Sequence, residues 1–291
     1  MKLFYPYSEY LKNKYGEKVY KLPINLPGTC PNRDGRLGTG GCDYCGDVGA
    51  GFESLNNTLS VQEQIQQNQA YIGNKYNINK FIPYFQNYTG TYMATEKLES
   101  LIRSAILPNM VGINISTRPD CVSSETCAML ARITQTESIG ITLELGLQTA
   151  NYHTLKSINR GHGLAEFIDA VMRIKNAGLS VSAHVMLDLP SDTLDDAVET
   201  ARILSALGVD GVKLHSLYVA NGSAFEAAYR AHQLALHSKD EYIARAVAFL
   251  ANLAPDIYVE RLIGRVPEAH SAVANFGTSW WKVKDDILKA L

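Results

Sequence analysis

Nothing in this 291-residue chain approaches an uninterrupted apolar run long enough to cross a bilayer. Its first residues, Met1 to Tyr10, carry neither an apolar signal core nor a small-residue cleavage site. The expectation is a cytoplasmic protein with no membrane partner. A strong charge of either sign is also missing: 27 basic against 29 acidic side chains leave −2, so the whole molecule is no generic polyanion binder. Cysteine is scarce, five in all, and the odd number with three inside residues 30–45 argues against a secreted disulfide framework. Metal or cluster ligation becomes the leading reading. Linkers, repeats and low-complexity tracts are absent as well, which predicts one domain over residues 1–291.

With 46% hydrophobic and 19% charged residues, the composition is that of a folded globular protein. Apolar runs rich in branched residues recur with helix-like segments between them, the pattern of a parallel sheet wrapped by crossover helices. Strands are predicted near Val19–Leu26, Lys80–Asn87, Val111–Thr117, Gly140–Leu147, Ser180–Leu187 and Gly211–Tyr218. Helices are predicted near Val61–Tyr71, Thr95–Leu107, Ser124–Thr134, Asn151–Ser157, Leu164–Ala177 and Thr193–Leu207. Gly178, Gly208 and Gly211 follow helical patterns where a left-handed cap is wanted. Six units are fewer than the eight of a closed barrel, so the fold class is α/β, a partial (β/α)6 TIM-type barrel with its site at the strands' C-terminal ends. The barrel core covers about residues 15–225. In the extension, about 226–291, helices near Ala224–His237 and Lys239–Asn252, a short strand near Ile257–Ile263 and a helix ending at Leu291 would cover the opening.

The cysteine stretch CPNRDGRLGTGGCDYCGDVGAGFE runs from Cys30 to Glu53 directly after the first strand. Glycines at 35, 38, 40, 41, 46, 49 and 51 let its backbone fold round a bulky object and aim amides at sulfur. Three thiolates at Cys30, Cys42 and Cys45 are one short of a full cluster complement or a four-cysteine zinc site. A zinc ion completed by His153, His162 or His184 therefore competes with an iron–sulfur cluster. Cys127 lies in a helical run and reads as a small buried residue. Cys121 follows the third strand, where packing is again the simpler role. In LELGLQTA, alternation sends Glu144, Gly146 and Gln148 to one side, the polar lumen, and such a buried pair needs partners. Lys213 and His215 share one side of the sixth strand, and His184 sits on the fifth. Residues 1–36 hold Lys2, Lys12, Lys14, Lys18, Lys21, Arg33 and Arg36 against Glu9, Glu17 and Asp34, which suits an RNA-facing entrance or a solvated basic surface equally.

The cysteine loop, with Tyr44 before its third cysteine, resembles the radical SAM superfamily. Its long first spacer is similar to the YhcC/YtqA-like family, which has kinship to the radical SAM part of Elongator's catalytic subunit. The same likeness runs through KLPINLPGTCPNRDG at Lys21, FQNYTGTY at Phe85, STRPDCV at Ser116, LELGLQTA at Leu143, INRGH at Ile158, DLPSDT at Asp188, GVKLHSLYVANGS at Gly211 and RLIGR at Arg261. This resemblance implies a [4Fe–4S] cluster on Cys30, Cys42 and Cys45, with S-adenosylmethionine chelated at the iron that lacks a protein ligand. It implies that Asn87, Tyr88 and Thr89 meet the methionine amino group, although the acid of the usual Gly-Gly-Glu motif is missing here. At the end of the third strand Ser116, Thr117, Arg118 and Asp120 put a hydroxyl, a guanidinium and a carboxylate at the rim for ribose and the methionine carboxylate, and Glu144 joins the cofactor-binding set from the lumen. Gln148 would lie near the ribose, Arg160 near the methionine carboxylate, and His184 near the nucleoside. A low-potential donor of flavodoxin or ferredoxin type is implied too. Kinship to Elongator suggests a tRNA wobble uridine as substrate, its carboxymethylaminomethyl group being remodelled towards aminomethyl. Radical chemistry on a small metabolite or peptide, and a non-catalytic cluster or zinc protein, are the competing readings.

Overall fold

The computed structural model describes residues 4–46, 54–266 and 268–291; Gly49, Gly51 and Glu53 of the cysteine stretch lie outside them. The predicted units are present as β2 (Val19–Ile24), α2 (Val61–Tyr76), β3 (Lys80–Phe85), α3 (Thr95–Ser104), β4 (Gly112–Thr117), α4 (Ser124–Glu137), β5 (Gly140–Gln148), α5 (Tyr152–Ser157), α6 (Leu164–Asn176), β6 (Ser180–Met186), α7 (Leu194–Ala206) and β7 (Gly211–His215). They are preceded by β1 (Tyr5–Pro6) and α1 (Tyr7–Tyr15). They are followed by β8 (Val219–Ala220), α8 (Ala224–Arg230), α9 (Lys239–Asn252), β9 (Tyr258–Val259), β10 (Ser271–Val273) and α10 (Trp280–Ala290). Capping boxes set several helix starts, among them Ser60 with Glu63 and Thr193 with Asp196.

The main sheet has eight strands in the order β1-β9-β7-β6-β5-β4-β3-β2, every neighbouring pair parallel. Its two edges, β1 and β2, do not pair, so the barrel stays open, as the partial TIM-type reading requires. The period-2 alternation divides the strands cleanly. Ile113, Ile115, Leu143, Leu145, Val181, Val212 and Leu214 pack with helix residues such as Ile102, Leu130, Phe167 and Leu204, all fully buried. Each such side chain contributes about 1.5–3 kcal/mol relative to exposure. The intervening positions, Asn114, Ser116, Glu144, Gly146, Ser182, His184, Lys213 and His215, belong to the opposite, lumen face. A lumen this polar is a site and not a second core. Among the described residues no helix is long and apolar enough to cross a membrane.

The structure corrects the sequence reading at four places. The sheet has eight strands, not six: the strand predicted near Ile257–Ile263 does not cover the opening but joins β7 in parallel. Bonds from Glu260 N to Val212 O and from Leu214 N to Arg261 O extend that pairing beyond Val259. β1 then adds to β9, with Tyr10 stacked on Tyr258 at a centroid distance of 4.4 Å and Tyr7 tilted against it at 4.8 Å. Gly178 and Gly208 are left-handed caps as predicted, at φ 74° and 60°. Gly211, however, opens β7, where a Cβ would come within 2.0 Å of the Tyr258 ring; its role is close packing. The helix predicted to His237 ends at Arg230, because His232 turns to φ 57°.

Asp188, in the loop after β6, is buried with its Oδ1 accepting the Leu217 amide at 2.6 Å. Burial pushes its carboxyl up from the ordinary 3.8 to about 7. Between those values the folded protein holds a proton that the unfolded chain does not, so stability falls as pH rises through this window and levels off above it. Asp188→Asn keeps an acceptor for Leu217 and removes the ionisation. Its urea midpoint relative to wild type should therefore rise between pH 4 and 7 and stay level beyond; a pH-independent difference would contradict this.

Candidate active site

The cysteine loop closes on itself through Cys30 O, which accepts from Arg33 N at 2.8 Å, and Cys42 O, which accepts from Cys45 N at 2.8 Å. The INRGH segment clamps it from outside. Asn159 donates to Gly41 O at 2.8 Å, Asn32 donates to Asn159 O at 2.6 Å, and Asp43 N reaches Ile158 O at 3.1 Å. The three thiols thereby line one pocket together with Thr89, Gln148 and Arg160. Each sulfur faces a nitrogen donor: Cys30 has Arg118 Nη1 at 4.0 Å, Cys42 has Arg160 Nη1 at 3.5 Å and Asn32 Nδ2 at 3.7 Å, and Cys45 has Arg33 Nη2 at 3.2 Å. Burial opposes ionisation of Cys42, but Arg160 and then Arg118 outweigh it and hold the thiol below its ordinary value. Burial wins at Cys45 and pushes that thiol up, although Arg33 opposes it.

This donor set fits a cluster better than zinc. Among the described residues no group of three or more His, Cys, Asp or Glu is disposed to hold a single ion. The candidate histidines do not join the thiols. His162 lies against the carbonyls of Gly146 and Gly163, and burial with Arg160 and Arg118 nearby drives its pKa down to about 2. His184 turns to Glu144, and His153 is exposed at the start of α5. Three thiolates ringed by cationic donors suit an anionic iron–sulfur core. Among the described residues the buried Arg160 Nε has no partner, and Arg160 Nη2 donates to Gly146 O at 2.8 Å. A Cβ on Gly146 would lie 2.7 Å from that Nη2, so a larger residue would push the guanidinium aside.

The other predicted residues divide. Tyr88 and Thr89 line the cysteine pocket, whereas Asn87 ties its loop to Asn25 at 3.1 Å. Thr117 lines it while bonded to Thr91 at 2.6 Å. Arg118 makes a two-bond pair with Asp120, both 2.9 Å, and donates to Arg160 O, so it braces the loop beneath Cys30. Gln148 reaches the pocket at φ 79°, just where the β5–β6 register slips by one residue. Cys127 is buried in the core, and burial raises the Cys121 thiol to about 12.

Glu144 faces the lumen as predicted but lies on its floor, fully buried. Oε1 accepts from Lys21 at 2.5 Å and Asn114 at 2.6 Å, and Oε2 from His184 at 2.8 Å and Lys213 at 3.0 Å. Lys21 also pairs with Glu260 at 2.5 Å. Burial opposes the charge on Glu144, yet Lys21 and Lys213 hold its carboxyl well below the usual range. Burial and Lys213 lower His184 to about 4, so the imidazole is neutral and its Nε2–H donates to Glu144. Lys21, Lys213 and Glu260 line a second chamber that shares Gln86, Ser116, His184, His215 and Tyr218 with the cysteine pocket. Sequence reasoning missed Asn32, Arg33, Gln86 and Glu260. A lysine inside the apolar strand at Lys21, matching Lys213, was the signal available. Of the basic N-terminal segment, Lys21 and Arg33 point inward to Glu144 and Cys45, which weakens its reading as an entrance. Replacing Glu144 by Gln leaves two buried lysines with one carboxylate and should cost about 3–5 kcal/mol in denaturant unfolding; a loss under about 1 kcal/mol would contradict its role.

Residues 27–204 match the radical SAM superfamily model, and residues 209–291 the Radical_SAM C-terminal domain. The chain is 30% identical over 291 residues to the uncharacterized protein YtqA of Bacillus subtilis, covering all of this chain and 90% of YtqA. It is 33% identical over 253 residues to protein YhcC of Escherichia coli, covering 87% and 80% respectively. Human Elongator complex protein 3 is 28% identical over 166 residues, 55% of this chain but 29% of that protein. The solved structure of archaeal Methanocaldococcus infernus Elp3 shares the fold, at TM-score 0.72 and 16% identity over 94% of this chain and 62% of that one. Three thiols at the C-terminal rim of an open parallel half-barrel and these matches agree: the chain belongs to the radical SAM superfamily of enzymes, as a homologue of YtqA and YhcC and a distant relative of Elongator complex protein 3.

Proposed function

We propose that this protein modifies the wobble uridine of tRNA, acting on a carboxymethylaminomethyl side chain on the way to aminomethyl. The observation that carries the reading is a pair of adjoining chambers: a rim of three thiols beside Arg160 and Gln148, sharing His184 and His215 with a second space lined by Lys21, Lys213, Arg261 and Arg265. Cys30, Cys42 and Cys45 would hold a [4Fe–4S] cluster. When bound and reduced, that cluster with S-adenosylmethionine supplies a carbon radical able to take hydrogen from an unactivated C–H bond.

The chain's own residues position and shield. Arg160, with its unpartnered Nε, suits the methionine carboxylate, while Gln148 and Thr117 offer polar atoms to the ribose. Thr89 and the carbonyls around Tyr88 would meet the amino group, in place of the missing acid; both residues line the pocket. His184 is held neutral and fixed on Glu144, so it presents a fixed imidazole and not a charge. A flavodoxin- or ferredoxin-type donor would supply the electron. The sequence likeness to Elongator complex protein 3 supports tRNA as substrate. The tyrosines at positions 5, 7 and 10 do not add to that support, since they pack together and on Tyr258.

Mass spectrometry of tRNA nucleosides from cells lacking this protein should show carboxymethylaminomethyluridine derivatives accumulating and aminomethyl derivatives falling. An unchanged wobble profile would contradict the tRNA assignment and favour a small metabolite or peptide.

A further inference from the structure

We infer that Arg261 and Ser216 form a carboxylate-binding subsite in the second chamber, where the substrate's own acid group docks; naming that acid as the carboxymethyl end of the uridine side chain rests on the tRNA reading above. Four cations line this chamber, Lys21, Lys213, Arg261 and Arg265. They are not equivalent. Lys21 and Lys213 are balanced by Glu144 and Glu260, within 2.5 to 3.7 Å. Arg265 lies over the Trp280 ring at 4.3 Å.

Arg261 differs. Its Nη2 donates to His215 Nδ1 at 2.8 Å, and burial together with Arg261 itself holds that imidazole well below its ordinary pKa, so the partner is neutral. Among the described residues no carboxylate forms an ion pair with Arg261. Its buried Nε has no partner among the described residues, and neither has the hydroxyl of Ser216, which lines the same chamber. An unsatisfied hydroxyl and a guanidinium whose Nε is also unsatisfied, both on one chamber, are costly unless a ligand completes them. The edge of a guanidinium is matched by the two oxygens of a carboxylate, with a hydroxyl as a third donor. A monoanion here would neutralise the Arg261 guanidinium, while the exposed Arg265 keeps its own charge over Trp280. Backbone pairing of Leu214 N to Arg261 O at 3.1 Å fixes the arginine to the rigid edge of β7.

The test uses the reconstituted protein saturated with S-adenosylmethionine, so that the methionine carboxylate site is filled, and acetate as probe. Saturation-transfer NMR should detect acetate on wild type, lose it in Arg261→Gln and recover part of it in Arg261→Lys. With tRNA carrying carboxymethylaminomethyluridine, kcat/KM should fall about a hundredfold in Arg261→Gln, the scale of a charge-assisted pair lost from a buried site. No acetate signal on wild type, or an equal signal in Arg261→Gln, would overturn the subsite. Equal tRNA turnover by the two proteins would overturn it as the substrate's docking point. Acetate binding through Arg261 with wild type leaving the tRNA unchanged would instead sink the tRNA reading and keep the subsite. Should Arg261→Gln lose its iron or its circular dichroism, Ser216→Ala, which removes only an unpartnered hydroxyl, decides: weaker acetate binding supports the proposal and unchanged binding overturns it.

Discussion

Two glutamates and two lysines, brought together from β2, β5, β7 and the segment after β9, meet on the floor of the lumen around the fully buried carboxylate of Glu144. Such a network does not maximise stability, because well-packed apolar side chains of similar volume would hold the strands at least as firmly. What it provides is a polar floor that is electrically neutral and rigid. It fixes His184 in one tautomer, and it orients the lysines inward so that the chamber above is left to Arg261 and the exposed Arg265. An apolar floor could carry the same sheet, but not the same chamber.

A second set of charges organises the rim. Arg118, Arg160 and Arg33 each touch a sulfur and a backbone carbonyl at once, so the side chains that make the pocket electropositive also staple the cysteine loop to the INRGH segment and to its own turn. Fold and chemistry are thereby coupled. The guanidiniums of Arg160 and Arg118, which favour thiolate at Cys42, are among the groups that hold the loop's surroundings in place. Gly146 belongs to the same device, since its missing side chain is the gap through which Arg160 passes.

How much of this was legible followed from sequence distance and periodicity. The branched runs of β2 to β7 and the helices between them carry strong periods, so both the strands and the half-barrel could be read. The two-residue β1 has no period, and its partner Tyr258 lies at the far end of the chain, so the closing edge of the sheet was invisible. Alternation along LELGLQTA placed Glu144 in the lumen, but its partners Lys21 and Asn114 sit 123 and 30 residues away, and only the folded sheet brings them together. The triad Cys30, Cys42 and Cys45 was plain from spacing, whereas the arginine assigned to each sulfur was not, because Arg33, Arg118 and Arg160 come from three different loops. Gly211 misled because a glycine after a helix usually caps it, and the ring that claims its space belongs to Tyr258.

The central claim is that three thiols and a half-barrel lumen hold a cluster able to cleave S-adenosylmethionine. Anaerobic reconstitution with iron and sulfide, followed by reduction in the presence of S-adenosylmethionine and chromatography of the products, tests it most directly. The account predicts release of 5'-deoxyadenosine and methionine by wild type and by Cys127→Ala, and none by Cys42→Ala. Protein that takes up no iron but retains stoichiometric zinc, or cleavage that survives loss of Cys42, would contradict it.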